Sequence, residues 1–237
     1  MLDVRTYLES TPLGHLLAPT ELRDLQALAV ERQFARGAHL TVMGAAAAHW
    51  FCVIEGLVAL SVNHADGEQT MLSAVSSGGW FGEGTLLKAH QRWQFDAVAL
   101  RKTQAVLIPA AQFQHLRATS LGFNHFVQDL LNARLGTLIG AAICARHAPL
   151  EARVARAIVD LIDRSVPGEV TLRLSQAEIA MLAGTSRQRA NVALKLLGEH
   201  GLVDVLRDGL RVLDVGRLRA VSAAEETLAL PATGLRP

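Results

Sequence analysis

One stretch near the end of the chain constrains the fold more than any other: LSQAEIAMLAGTSRQRANVALKLLGEHGLVDVLRDGLRVLDV, Leu174 to Val215. Ser175 is placed to accept from the backbone of Glu178, and Glu178 to reach back to Ser175, the reciprocal cap that opens a helix. Ile179, Met181 and Leu182 supply its apolar face, and Gly184 ends it four residues after the small Ala180. Two helices joined by a tight turn need both features. The turn calls for a glycine, and the crossing point calls for a side chain small enough to let the backbones approach. Ser186 then caps a second helix, RQRANVALKLL. On it Ala190, Ala193, Leu194 and Leu197 turn inward, while Arg187, Gln188, Arg189, Asn191 and Lys195 turn outward. After Gly201, LVDVL and LRVLDV flank RDG as the two arms of a hairpin. The pattern is a helix-turn-helix with a wing. Arg suits guanine edges and phosphates, Gln and Asn suit adenine, and a helix lying in a major groove reads bases with its N-terminal residues. Gln176, Ser186, Arg187, Gln188, Arg189, Asn191 and Lys195 are therefore the candidate DNA-binding residues.

Upstream, the hydrophobic period changes twice. TELRDLQALAV, Thr20 to Val30, predicts a short amphipathic helix capped at Thr20, with Leu22, Leu25, Leu28 and Ala29 on one face. Between about Phe34 and Ile108, runs rich in Val, Leu, Phe and Trp alternate with Gly, Asn and Asp clusters, which predicts short antiparallel strands, with a reversal at Asp66-Gly67. Past Pro109 the turn signals thin out. Val127, Leu131, Leu135, Leu138 and Ala142 then recur at threes and fours, with Phe123, Phe126, Leu130 and Ile139 broadening the stripe, so Leu121 to Ala148 predicts one long helix of about 40 Å. A helix that long with two apolar faces serves its own roll and a partner's helix, which predicts a homodimer. Pro149 interrupts the pattern, and LEARVARAIVDLIDRS forms a further helix behind it.

Composition excludes several classes. Lys and Arg total 23 against 22 Asp and Glu, so any nucleic-acid surface must come from local clustering. Cys52 and Cys144 lie far apart in apolar company and are expected to be reduced thiols, and the first fifty residues hold no cysteine, which excludes an N-terminal iron–sulfur cluster. MLDVRTYLES lacks the basic start and apolar core of a signal peptide, and LGTLIGAAICA is too short to span a bilayer. A cytoplasmic protein without membrane partners is expected. No phosphate loop with its lysine, no His-Glu-x-x-His and no nucleophile elbow is present, so the chain is not expected to be an enzyme.

LSQAEIAMLAGTSRQRANVALKLLGEHGLV resembles the winged helix-turn-helix of the CRP/FNR family of bacterial transcription regulators, and GGWFGEGTLL resembles that family's effector loop. The resemblance follows the chain in order and implies an α+β fold. An antiparallel β-roll of the double-stranded β-helix or jelly-roll type, cyclic-nucleotide-binding-like, occupies 1–120, and a dimerisation helix occupies 121–148. A winged helix-turn-helix domain covers 149–215, and a C-terminal tail covers 216–237. It implies a homodimer on a palindromic double-stranded operator, with RNA polymerase as a further partner in many members. The family's recognition helix typically begins Ser-Arg-Glu and carries a second Arg at the position of Val192; here Gln188 replaces the Glu, so the half-site is expected to differ from the best-known one. The alternative is a cyclic-nucleotide module that acts on a protein partner without touching DNA.

In the family's cyclic-AMP-responsive members a Gly-Glu pair opens the phosphate loop and an Arg-Ser or Arg-Thr pair later neutralises the charge. Gly82 and Glu83 match the opening, with Gly84 and Thr85 following, but Trp93 and Gln94 stand where the second pair belongs and Arg92 is displaced by one. In a strand that shift turns the guanidinium to the opposite face. Where cyclic-AMP binders read adenine with small hydroxyl residues, this chain has Leu138 and Ile139, with Arg134 as a polar contact from the same helix. Gly82, Glu83, Gly84, Thr85, Arg92 and Arg134 form the candidate effector set. The expectation is that the usual cyclic-AMP contacts are absent. A larger nucleotide such as cyclic di-GMP, or DNA binding without a ligand, stays open, and haem on His49, His64 or His90 is disfavoured because no spacing singles one out.

Overall fold

The structure, a computed structural model, describes residues 4–63, 69–88, 91–162 and 168–223; the side chains of 69 and 143–147 are not described. It divides into two compact units, Met1–Leu135 and Gly136–Pro237.

The first unit opens with α1 (Val4–Ser10), α2 (Pro12–Leu16) and α3 (Pro19–Leu28). The sequence predicted only the last of these. Thr11 starts α2 by accepting the Gly14 N–H at 3.1 Å, and Pro12 takes the first helical position, where a missing N–H costs nothing. The start of α3 needs correction: Pro19 leads it and Glu21 folds back to accept the Ala18 N–H at 2.8 Å, so the helix begins ahead of Thr20. Leu8, Leu13 and Leu25 are wholly buried in the roll core, whereas Leu28, expected on the buried face, is about half exposed.

The roll comprises β1 (Val30–Phe34), β2 (His39–Thr41), β3 (His49–Glu55), β4 (Leu57–Asn63), β5 (Gln69–Ser76), β6 (Trp80–Phe81), the one-turn helix α4 (Glu83–Leu86), β7 (Asp96–Ala99) and β8 (Thr103–Pro109). They form two antiparallel sheets, ordered β1-β8-β3-β6 and β2-β7-β4-β5. The expected reversal at Asp66-Gly67 lies outside the described residues; β4 and β5 pair on either side of it, from Leu57↔Ser76 to Asn63↔Gln69. Aromatic rings dominate the core, because a two-ring contact buries more area per ordered side chain than any aliphatic pair. Trp50 is wholly buried and meets Trp80 at 4.2 Å and Phe113, Phe123 and Phe126 at 5.3, 5.6 and 6.1 Å between centroids, while Phe51 stacks on Phe81 at 4.8 Å. Cys52 lies among them. Burial pushes its thiol up to about 12, and burial together with that thiol raises the Tyr7 phenol, so both stay protonated at neutral pH.

After α5 (Ala110–Thr119), Ser120 begins α6 (Leu121–His147) by accepting the Phe123 N–H at 3.2 Å while donating to Glu21 at 3.0 Å. The first turns of α6 bury Phe123, Phe126 and Val127 in the roll, and Leu130 and Leu131 pack partly against it. Further along, Leu135, Leu138 and Ile139 are 57%, 57% and 52% exposed.

The second unit contains α7 (Leu150–Val159), β9 (Val170–Leu172), α8 (Gln176–Leu182), α9 (Arg187–Glu199), β10 (Val203–Leu206), β11 (Gly209–Val212) and α10 (Val215–Ser222). The wing hairpin runs from Val203↔Val212 to Leu206↔Gly209, and β9, which the sequence reading missed, adds a third strand along β11. The tail expected from residue 216 is corrected at its start. Asp214 accepts the Arg217 N–H at 2.9 Å to cap α10, and Val215, Leu218 and Val221 are buried. Residues 224–237 lie outside the described residues.

Candidate nucleic-acid interface and the Gly82 turn

The helix-turn-helix is assembled from local chemistry. Ser175 Oγ accepts the Glu178 N–H at 3.2 Å while Glu178 accepts the Ser175 N–H at 2.7 Å, so two of the donors left open at the start of α8 are satisfied. Ile179 and Ala180 are buried at the crossing, but Met181, expected on the apolar face, is 42% exposed because two residues from Ile179 is more than half a turn around a helix. Gly184 turns the chain at φ +59°, in the left-handed region that favours glycine. From α7, Arg153 Nη2 donates to the carbonyls of Ala183 and Gly184 at 2.9 and 3.0 Å, which fixes the end of α8 from outside the motif.

Ser186 Oγ accepts the Arg189 N–H at 3.3 Å and starts α9. Its hydroxyl proton remains available to a phosphate. Ala190, Ala193, Leu194 and Leu197 are buried, which fixes the helix about its axis. Arg187, Gln188, Arg189 and Lys195 are exposed and Asn191 is half-buried. Gln188, Asn191 and Lys195 share one face at spacings of three and four, so they can enter a groove together. Val192 belongs to that same face and is 64% exposed; sequence reasoning had registered it only as the place of a missing arginine. Gln176 stands apart from these residues, half-buried at the first position of α8. The wing is braced by Arg211, which donates to Asp204 at 2.7 Å and lies 3.4 Å from Glu169. Both are exposed pairs that hold geometry more than they add stability.

The candidate effector residues do not converge on one empty cradle. Gly82 adopts φ +108° at the head of α4, whose Thr85 and Leu86 amides close back on its carbonyl at 3.1 and 3.0 Å. A Cβ at Gly82 would stand 2.9 Å from Trp93 Cη2: the indole lies against the turn. Residues 91–93 pair with 44–47 through Ala47 N–H to Gln91 O, Trp93 N–H to Ala45 O and Gly44 N–H to Trp93 O. That pairing sends Trp93 inward, 5% exposed, and Arg92 outward, where Nη1 donates to the Gly44 carbonyl at 2.8 Å. Glu83 is buried with its carboxylate taken: Arg134 Nε donates to one oxygen and Trp50 Nε1 to the other at 3.5 Å, while Arg134 Nη2 donates to the Trp80 carbonyl. Thr85 is buried and Gly84 exposed. Trp50 was not in the expected set; a partner 33 residues away in sequence leaves no local signal.

Of the three histidines weighed for haem, His64 and His90 lie outside the described residues. His49 is held below the usual imidazole range by burial and by nearby Arg32. A folded-state value depressed below 6.5 means the unfolded chain binds more protons just under that pH, so stability falls as pH drops below 6.5 until the folded value is passed. Urea midpoints measured from about pH 7.5 to about pH 5 should therefore decline more steeply for the wild type than for His49→Gln. Parallel curves would contradict this assignment.

Two family descriptions match the chain, the cyclic nucleotide-binding domain over residues 31–120 and the Crp-like helix-turn-helix domain over residues 152–221. The chain is similar to the cyclic AMP receptor protein of Thermus thermophilus, 27% identical over 196 residues, 83% of this chain and 89% of that protein. It is also similar to the cAMP-activated global transcriptional regulator Vfr of Pseudomonas aeruginosa, 25% identical over 162 residues, 65% of this chain and 76% of Vfr. Among solved structures, FixK2 from Bradyrhizobium japonicum shares the fold with a TM-score of 0.70 at 18% identity, over 85% of this chain and 99% of that one.

Proposed function

We propose, for a chain that belongs to the CRP/FNR family of DNA-binding transcription regulators, that it acts as a cytoplasmic homodimer on a two-fold symmetric operator without the usual cyclic-AMP contacts. The outward face of α9, held by Ser186 and the buried Ala190, Ala193, Leu194 and Leu197, carries the DNA-binding part. Arg187 and Gln188 sit in its first turn, where a recognition helix reaches base edges, and Arg189 and Lys195 supply phosphate contacts. Asn191 follows one turn on. Gln176 and the Ser186 hydroxyl donate to the backbone from the two helix starts. Members of the family are regulators and not enzymes; contact with RNA polymerase is a proposal carried by the family alone. No described helix is long and apolar enough to cross a membrane.

Dimerisation is supported by Leu135, Leu138 and Ile139, three large aliphatics within five residues of one helix, each more than half exposed in the single chain. A parallel partner would cover them and set the two copies of α9 about 34 Å apart, the distance between successive major grooves on one face of DNA.

The relatives' names point to cyclic AMP, and the residues here do not fit it. The guanidinium that should meet the phosphate is bonded to Gly44 on the exposed side, the indole of Trp93 takes the inward position, and Glu83 is already paired with Arg134. The reading is therefore DNA binding that needs no cyclic AMP, and a ligand that did act would have to prefer one arrangement of the protein over another. Selection of duplexes from a random pool by the purified full-length protein, with no nucleotide added, tests it. A symmetric site bound by two protomers is expected, and Arg187→Ala should weaken it by about 1–3 kcal/mol and blur one base position per half-site. Enrichment that appears only when cyclic AMP is added would overturn the effector reading, and a single bound protomer would overturn the dimer.

A further inference from the structure

Val192 is the one feature of the α9 face that the hydrogen-bonding account leaves unused, and its setting is specific. It lies on the stripe formed by Gln188, Asn191 and Lys195, and its neighbours Ala193 and Leu196 are 3% and 9% exposed. Val192 lies just outside that edge of the buried face, and turning the helix to bring it inward would carry Leu194, 2% exposed on the opposite edge, out toward solvent. A β-branched side chain is also among the weaker helix formers, so a purely solvated position gains nothing from it over Arg, Gln or Lys. What it offers instead is a stiff apolar surface, because branching at Cβ holds one χ1 rotamer in a helix. In a major groove lined with donors and acceptors, the matching apolar feature is the C5-methyl of thymine.

We propose that Val192 reads a thymine methyl in each half-site of the operator, replacing a hydrogen-bonding readout with an apolar one. The inference rests on the DNA-binding reading above. Val192 lies one helical turn beyond Gln188, about 6 Å along the axis, which places its thymine within one or two base steps of the pair that Gln188 reads.

The test uses the full-length protein and the duplex it selects, with each thymine replaced in turn by deoxyuridine, which removes the methyl and nothing else. For the wild type, one thymine per half-site is expected to carry a penalty of about four-fold, and replacing both of the pair about fifteen-fold, as burial of a single methyl group would give. Val192→Ala should bind the unmodified duplex more weakly and show no penalty at that thymine; Val192→Thr, which keeps one methyl in the same branched shape, should retain part of it. The inference is overturned if no thymine near the Gln188 pair carries a penalty, or if the penalty is the same in Val192→Ala. Failure to enrich any duplex would overturn the DNA-binding reading and this inference with it.

Discussion

Replacing Trp93 by alanine is expected to lower the stability of the β-roll by about 3–5 kcal/mol, the range for removing a large aromatic from a packed core. The side chain is 5% exposed, lies 5.9 Å from the Phe51 ring and 5.5 Å from Phe95, and rests against Gly82, whose left-handed backbone leaves no Cβ in the way. Because segments 91–93 and 44–47 are hydrogen-bonded through their backbones, the space is not expected to collapse after truncation, which puts the cost toward the upper end. Urea denaturation followed by circular dichroism measures it, and Trp93→Phe should recover roughly half the loss. A cost below about 1 kcal/mol would show that the indole is not seated on the turn. The same variant opens room before Gly82. Titration with cyclic AMP should give no heat with the wild type, and a signal there would contradict the filled turn.

Arg134→Ala is expected to cost about 2–3 kcal/mol. Stripping one partner from a buried pair typically costs ~3–5 kcal/mol, because the remaining charge is left without compensation. Here the Glu83 side chain is 2% exposed but Arg134 is 31% exposed, so solvent screening lowers the figure. The decisive measurement is a cycle with Glu83→Gln. With no buried charge left to strand, removing Arg134 from that background should cost under about 1 kcal/mol, and the difference is the coupling between the two residues. Equal costs in both backgrounds would show that the pair carries no coupling. The same pair ties the Gly82 turn to α6, so loosening it is where any link between that turn and α6 should first weaken.

The helix-turn-helix was legible because every part of it is local. Ser175 and Glu178 are three residues apart, Gly184 marks the turn, and Ser186 begins the next helix, so sequence spacing is already geometry. Met181 was assigned there by hydrophobicity against the helical period, and the period won. The roll was legible as a class, from alternation and turn residues, but not in its pairings. Arg134 meets Glu83 across 51 residues and the Trp93 indole lies against Gly82 from beyond α4, and neither contact has a spacing that sequence could register. The helices α1 and α2 were missed because each is short and lacks a full amphipathic period, although Thr11-Pro12 is a readable start. Helix α10 was missed for a different reason: VGRLRAVS merges into a weakly patterned end, and only burial of Val215, Leu218 and Val221 distinguishes it.

The two hydrogen bonds from Arg153 to the carbonyls of Ala183 and Gly184 mean that the turn between α8 and α9 is closed by a side chain from α7. Amide protons of the turn should then exchange with solvent in step with those of α7, as one cooperative foldon. A peptide spanning only α8 and α9 would carry the same capping residues and yet leave those carbonyls to water, so the smallest fragment that keeps the DNA-reading shape begins at α7.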